Sequence, residues 1–386
     1  MDGSRPGHPV AGPALEANTR GRSEETMHFG LTEEQELLQE TLRRFTGHEL
    51  PPNRLRELFD AGNGFDDDIW RRAAEMGLCG LTVPQAFGGS GLELLDQALA
   101  FEVLGESAVP GPFLGHALAC LALTRGGSDE QKRRWLPHLA AGEVIGSVAL
   151  CEAGQRWEPE DWQLAFDDGR ATGTKRFVEA GPQTQLFVVG LAGGRLGLVE
   201  RDSAGVRLEP VDRSDRTRPL ADLRLENAVL DPLAGGGAGV AEAIMDAARI
   251  LLAADAFGAA WRLIRLTTEY TQNREQFGTK IAQFQAVKHQ LANMAMETEP
   301  MRGLVWYAAY AFDHLEQEVA REAATAKAHI TDRAVQIGRS AVSLHGGIGF
   351  TWECDVHFWL KRTMFDRVWL GSPASHRERL ARLAGW

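Results

Sequence analysis

The sequence predicts an α+β chain in three parts: an N-terminal helical domain, a central antiparallel β domain and a C-terminal four-helix bundle. Three observations carry that reading. Apolar residues recur at helical spacing from Thr32 to Ala140. From Gly142 the pattern changes to short runs rich in Val, Phe, Thr and Leu, separated by Asp-Asp-Gly, Ala-Gly-Gly and Asp-Ser-Ala-Gly turns. After the glycines at 235–237 the helical period returns and holds to the end. At 386 residues the chain can build two or three domains with separate cores.

Residues 1–26 are rich in Gly, Pro, Arg and Ser and lack an apolar stretch, so they are expected to be a disordered leader rather than a signal peptide. The folded part is expected to start near Met27, which gives domains at 27–143, 144–232 and 233–386. Thr32 with Gln35 forms a capping box ahead of the first helix. Further helices are expected at 67–76, 94–106, 115–124 and 129–140, the last capped by Ser128. Pro84 and three glycines make 81–91 a loop. Strands are expected at 163–166, 170–175, 186–190 and 196–200. Long helices follow at 239–273, 284–312, 317–344 and 354–369, joined by short loops as in an antiparallel bundle. Their Ala-rich faces permit close packing and suggest an oligomer interface.

Net charge is −12, with Lys and Arg dispersed, which argues against a nucleic-acid surface. No apolar run reaches membrane-spanning length. Cys79, Cys120, Cys151 and Cys354 are far apart and show no metal-ligand spacing, so reduced thiols in a cytoplasmic protein are expected. No metal site, Ser-His-Asp grouping or phosphate-binding loop is visible.

Residues 274–285 read R-E-Q-F-G-T-K-I-A-Q-F-Q, and residues 344–350 read L-H-G-G-I-G-F. A permanent cation before a Phe-Gly break, and a glycine cluster where backbone can approach closely, suit a diphosphate carrying a flat ring. Singly, each has a plainer reading: Arg274 as a solvated residue, Phe277 as core, the glycine pair as a helix cap. Together, in this order, they resemble the acyl-CoA dehydrogenase family, whose C-terminal domain carries R-x-x-F-G-x-x-I-x-x-F-Q and then G-G-x-G-[FY]. The resemblance covers the chain from Met27 onward and implies that family's fold, FAD as cofactor and an acyl-CoA substrate. It implies that Arg274 contacts the FAD pyrophosphate, with Phe277 and Gln285 near the adenosine half, all donated to the flavin of a neighbouring subunit. Gly346, Gly347 and Gly349 would let backbone pass close to the same cofactor. His345 belongs to this loop, with a packing role as its plainer reading. Two departures are Ser343, where the family has Gln, and Gln85, where Glu is common.

The motifs that would hold this chain's own flavin are less well kept. Where the family shows T-E-P-x-A-G-S-D, residues 149–157 read A-L-C-E-A-G-Q-R-W, with Cys151 in place of Thr. The following [WF]-I-[TS]-N reads Phe177-Val178-Glu179-Ala180; the aromatic survives, and an acid replaces the hydroxyl. Asp246 and Arg249 match the family's D-x-x-R substrate-contact motif. Removal of an α proton needs a carboxylate within hydrogen-bond reach. Gly371 stands at the usual Glu position and Ala248 at the alternative one, so no catalytic residue is assigned.

The resemblance therefore implies the non-catalytic partner in a heterotetramer (α2β2) with a second acyl-CoA dehydrogenase-like subunit, as in the actinobacterial enzymes of steroid side-chain β-oxidation, reoxidised by an electron-transfer flavoprotein or similar acceptor. Three other readings stay open. A self-sufficient homo-oligomer would need a relocated base among Glu242, Asp246, Asp255 and Glu179. A flavin monooxygenase would need none, and a ligand-binding protein would need no flavin.

Overall fold

A computed structural model describes residues 30–386; the expected leader and the expected start near Met27 lie outside the described residues. Helix α1 (Glu33–Glu49) opens with the Thr32/Gln35 capping box, the two reciprocal bonds being 3.1 and 3.2 Å. Helix α2 (Pro52–Ala61) was not among the expected elements. Its signals are ordinary ones: Pro52 in the first turn, Leu55, Leu58 and Phe59 at helical spacing and buried, and Gly62 in the left-handed region as the stop. Helices α3 (Asp67–Glu75), α4 (Leu94–Glu106), α5 (Phe113–Gly126) and α6 (Asp129–Ala140) complete this part.

Two four-stranded sheets follow. One has the order β1 (Gly146–Ala149), β4 (Leu186–Leu191), β5 (Arg195–Glu200), β8 (Asp231–Pro232). The other has the order β2 (Phe166–Asp167), β3 (Arg170–Val178), β7 (Ala221–Val229), β6 (Val206–Pro210). Their facing apolar residues, Phe187, Val189, Leu223 and Leu225 among them, form a second core. The expectation of purely antiparallel pairing fails at one place: β1 and β4 run parallel, because the chain makes β2 and β3 between them instead of turning back at once. The strand expected at 163–166 begins only at Phe166. The backbone N–H groups of Gln163 and Leu164 donate to the Glu152 carboxylate, at 2.8 and 3.0 Å, and are lost to a ladder.

Helix α7 (Ala238–Asn273) is the spine of the C-terminal part. At 1.5 Å per residue its 36 residues span about 54 Å. The short hairpin β9 (Glu275–Gln276) and β10 (Thr279–Lys280) leads into α8 (Gln285–His314), α9 (Val319–His345), α10 (Val356–Val368) and α11 (Pro373–Leu383). The alanines along the middle of α7 do not face outward: Ala247, Ala248, Ala253, Ala256 and Ala259 are fully buried within the chain. They serve the close crossing of α7 with α4, and glycines mark that crossing. A methyl group on Gly258 would overlap the Glu102 carbonyl, and one on Gly105 would overlap that of Asp255. Gly258→Ala is therefore expected to force the helices apart and lower stability by about 1–3 kcal/mol, measured as a fall in denaturant midpoint at unchanged slope.

Candidate functional site

The hairpin β9–β10 turns through Phe277 (φ 55°) and Gly278 (φ 79°), both left-handed, as a two-residue turn of the I′ type requires. Glycine adopts this conformation freely. An aromatic residue held there costs about 1–3 kcal/mol and is 95% exposed, so intrachain packing does not account for it. The Phe284 ring stands edge-on to it at 6.3 Å. Arg274 caps the end of α7 through its own N–H to the Tyr270 carbonyl. Its exposed guanidinium has no ion-pair or hydrogen-bond partner among the described residues. Gln285, the first residue of α8, is exposed, and its side chain meets His289 at 3.0 Å.

Tyr270 joins this hairpin to the glycine loop. Its ring stacks on His345 at 4.3 Å, and its hydroxyl donates to the His345 carbonyl at 3.2 Å. His345 is buried, with Nδ1 2.8 Å from the Ala341 carbonyl, and burial lowers its pKa. It is thus a neutral packing residue that carries the loop. The three glycines differ. Around Gly346 (φ 62°) and Gly347 a methyl group would meet nothing within 4 Å, so their backbone faces open space. At Gly349 a methyl group would overlap the Val342 carbonyl, so that glycine serves the loop's own packing. An unpaired cation, two open glycines and an exposed aromatic ring on neighbouring elements fit the diphosphate and adenosine half of FAD.

The half that would hold a flavin ring within this chain does not fit in the same way. Cys151 is fully buried, and its thiol, pushed up to about 12 mainly by burial, turns to the Glu152 carbonyl at 3.4 Å. Phe177 (φ 54°) donates its N–H to Asp222 at 3.1 Å, and its carbonyl accepts from Trp369 Nε1 at 2.8 Å. The Glu179 side chain, expected beside a flavin, points inward: it accepts from the Gly115 N–H at 2.6 Å and pairs with Arg218 at 2.8 Å, both residues wholly buried. A cleft of about 350 Å3 lies between the sheets and α10, lined by Phe177, Leu220, Met364, Phe365 and Trp369.

Arg218 is the centre of a charge cluster that the sequence did not disclose. Besides Glu179 it meets Asp255 at 3.0 Å, Asp366 at 3.1 Å and Asp215 at 3.7 Å. Arg362 grips both Asp255 oxygens, at 2.8 and 2.7 Å, and donates to Thr217 and the Val109 carbonyl. The cluster joins the N-terminal helices, the sheets and the bundle.

Asp246 and Arg249 are equally engaged. Arg249, fully buried, bonds Asp246 at 2.7 Å and both oxygens of Glu158 at 2.7 and 2.8 Å. Arg379 closes the group on Glu158 at 3.2 Å and Glu242 at 2.9 Å. Of the Arg249 nitrogens only Nε is left without a partner. Sequence reasoning missed Glu158 and Arg379; the Trp-Glu-Pro run at 157–159 was the available signal.

All four candidates for a relocated base are thus paired with arginine: Glu179 with Arg218, Asp255 with Arg362, Asp246 with Arg249, and Glu242 with Arg379. Ala248 is buried in the core. Gly371 has φ 97°, and a methyl group there would stand 2.8 Å from Ser375 Oγ and 3.6 Å from His376 Nε2. Gly371→Glu is therefore expected to lower stability by about 1–3 kcal/mol and to restore no thioester-dependent flavin bleaching. Bleaching in anaerobic titration is the check.

Helices, paired sheets and a bundle carrying a surface suited to the FAD diphosphate define a flavin-dependent dehydrogenase class. Residues 32–143 match the acyl-CoA dehydrogenase N-terminal domain, and residues 235–384 the acyl-CoA dehydrogenase C-terminal domain. The acyl-CoA dehydrogenase IpdE2 of Mycobacterium tuberculosis is 33% identical over 91% of this chain and 96% of its own length. Among solved structures, the Tcur3481-Tcur3483 steroid ACAD superposes with a TM-score of 0.84 at 29% identity, covering 92% of this chain and 98% of that one. The ChsE4-ChsE5 complex from Mycobacterium tuberculosis gives a TM-score of 0.84 at 27% identity, with 93% and 99% covered. The chain belongs to the acyl-CoA dehydrogenase family, FAD-dependent oxidoreductases. No helix among the described residues is long and apolar enough to cross a membrane.

Proposed function

We propose that this chain is the base-lacking subunit of a heteromeric acyl-CoA dehydrogenase, assembled as α2β2 with a second subunit of the same family. It completes the FAD site of that partner. The observation that carries the reading is an asymmetry within one chain. The residues that would serve a neighbour's cofactor, Arg274, Phe277, Gly346 and Gly347, are exposed and uncommitted. Those that would serve its own site, Glu179, Asp246 and Arg249, are buried and paired with each other or with Arg218 and Glu158. Steroid side-chain or other lipid β-oxidation is the setting, by likeness to the steroid ACAD and to the ChsE4-ChsE5 complex.

FAD supplies the hydride acceptor when bound. In this chain Arg274 would hold the diphosphate with a fixed charge and planar fork, Phe277 would offer a face to the adenine, and the open glycines would admit the cofactor backbone. The partner would supply the carboxylate that takes the α proton. An electron-transfer flavoprotein or similar acceptor would reoxidise the pair. The four free thiols accord with a cytoplasmic site of action.

The test is the flavin-to-protein ratio and visible spectrum of this chain, purified alone and with its partner. FAD only in the pair, at about one per pair, is the expected result. A lone chain that is yellow and bleaches anaerobically with an acyl-CoA overturns the reading in favour of a homomeric enzyme. Oxygen consumption without dehydrogenated product would indicate a monooxygenase.

A further inference from the structure

Two clefts of about 350 Å3 each lie side by side in this chain. One, between the sheets and α10, is lined by Phe177, Met364, Phe365 and Trp369; the other, at the start of α11, is lined by Gly371, Ser372, Ser375 and Glu158. Trp157 lines both. Its ring lies 5.2 Å from that of Trp369, and the two residues are only 7% and 3% exposed. Trp157, with the exposed Gln155 beside it, therefore stands where the two spaces meet, and Trp369 backs it from the first cleft.

This wall is fixed from several sides. The Trp157 carbonyl accepts from Trp162 Nε1 at 2.9 Å, and Trp369 Nε1 donates to the Phe177 carbonyl at 2.8 Å. Glu158, the next residue, is clamped by Arg249 and Arg379, and Pro159 fixes the backbone beyond it. These bonds hold the backbone on either side of Trp157, and its ring is held by packing against Trp369, itself anchored through Nε1.

We infer that the Trp157–Trp369 pair is a plug that excludes a flavin ring from this chain's own cleft. It also separates that space from the Gly371 side, where a thioester would lie. Hydride transfer needs reacting atoms within about 3–3.5 Å, and an interposed indole removes that contact. Packing thus silences the chain's own site independently of the missing carboxylate. The inference rests on the base-lacking reading and adds a second, separate obstacle to chemistry in this chain's own site.

The test uses the full chain and lumiflavin, a flavin ring without the diphosphate and adenosine that a partner's site would grip. Trp157→Gly removes the plug, Trp157→Phe keeps most of it, and Trp369→Ala thins the same wall from the opposite side should the first variant fail to fold. Binding is read by quenching of lumiflavin fluorescence, with folding checked by circular dichroism and thermal melting. The expected result is at least a tenfold gain in lumiflavin affinity for a folded Gly or Ala variant over the Phe variant, reversed by free indole, which refills the vacated space. Equal affinity in folded Gly, Ala and Phe variants overturns the plug, as does a wild-type chain that already binds lumiflavin as tightly as the Gly variant. The base-lacking reading is judged separately, by the FAD content of the unmodified pair.

Discussion

Arg274→Ala is expected to strip FAD from the assembled pair while leaving this chain folded. The guanidinium is exposed and makes no bond within the chain, so its loss removes no internal contact. A hydrogen bond to a charged group contributes about 1.5–3 kcal/mol, which corresponds to an affinity loss of about 10- to 150-fold. Equilibrium dialysis of FAD against the variant pair, beside a thermal melt of the lone chain, separates the two effects. Lysine at the same position keeps the charge and loses the planar fork, so Arg274→Lys is expected to fall between the two. Unchanged FAD affinity in the Ala variant would sink the idea that this surface completes a partner's site.

Arg218→Met is expected to have the largest effect on folding. The side chain is wholly buried among Glu179, Asp215, Asp255 and Asp366, and removing it leaves only Arg362, held on Asp255, to balance them. Breaking a buried pair from one side costs about 3–5 kcal/mol, a large share of the roughly 5–15 kcal/mol by which ordinary domains are stable. Denaturant unfolding of the purified chain is the check; where the variant does not accumulate, Arg218→Lys, which keeps a charge, serves as the graded comparison.

Two acids of this cluster, Asp366 and Asp255, are shifted in opposite directions. Burial and the neighbouring Asp255 raise the pKa of Asp366 well above the ordinary range, against the pull of Arg218 and Arg362. At Asp255 burial is outweighed by Arg362 and Arg218, and the pKa is lowered. A raised carboxyl stabilises the fold below its unfolded pKa, and that contribution is lost as pH rises through the folded value. Asp366→Asn is therefore expected to gain thermal stability relative to wild type as pH increases. Melting curves from about pH 4 upward, where the unfolded carboxyl begins to ionise, measure the difference.

How much of this was legible in the chain differs from place to place. Capping boxes at Thr32 and Ser128, the change of period at Gly142 and the run of Ala and Leu along α7 are local signals, and the elements they predict are present. Helix α2, not among the expected elements, carries the same kind of signal: Pro52 in its first turn, apolar residues at helical spacing and Gly62 at its end. The parallel pairing of β1 with β4 had no local signal at all.

The two motifs around Arg274 and Gly346 could be read as a pair because each lies on one short stretch of backbone; Tyr270, which ties them together in space, lies one helical turn before Arg274. The gaps at Ala248 and Gly371 were legible for the same reason: an absent carboxylate is a fact of sequence. Whether another acid takes over depends on what each one touches. Glu179, Asp246 and Asp255 all looked available until their arginine partners, 39, 3 and 107 positions away, were in view.

The sequence by itself determined the order of helical and sheet regions and the family, because caps, periods and motifs act over a few consecutive residues. Only the tertiary structure decided that Glu179, Asp246, Asp255 and Glu242 are paired with arginine and that Trp157 stands between the two clefts. Charge pairing and ring packing depend on distance in space, and neighbours in space need not be neighbours in the chain.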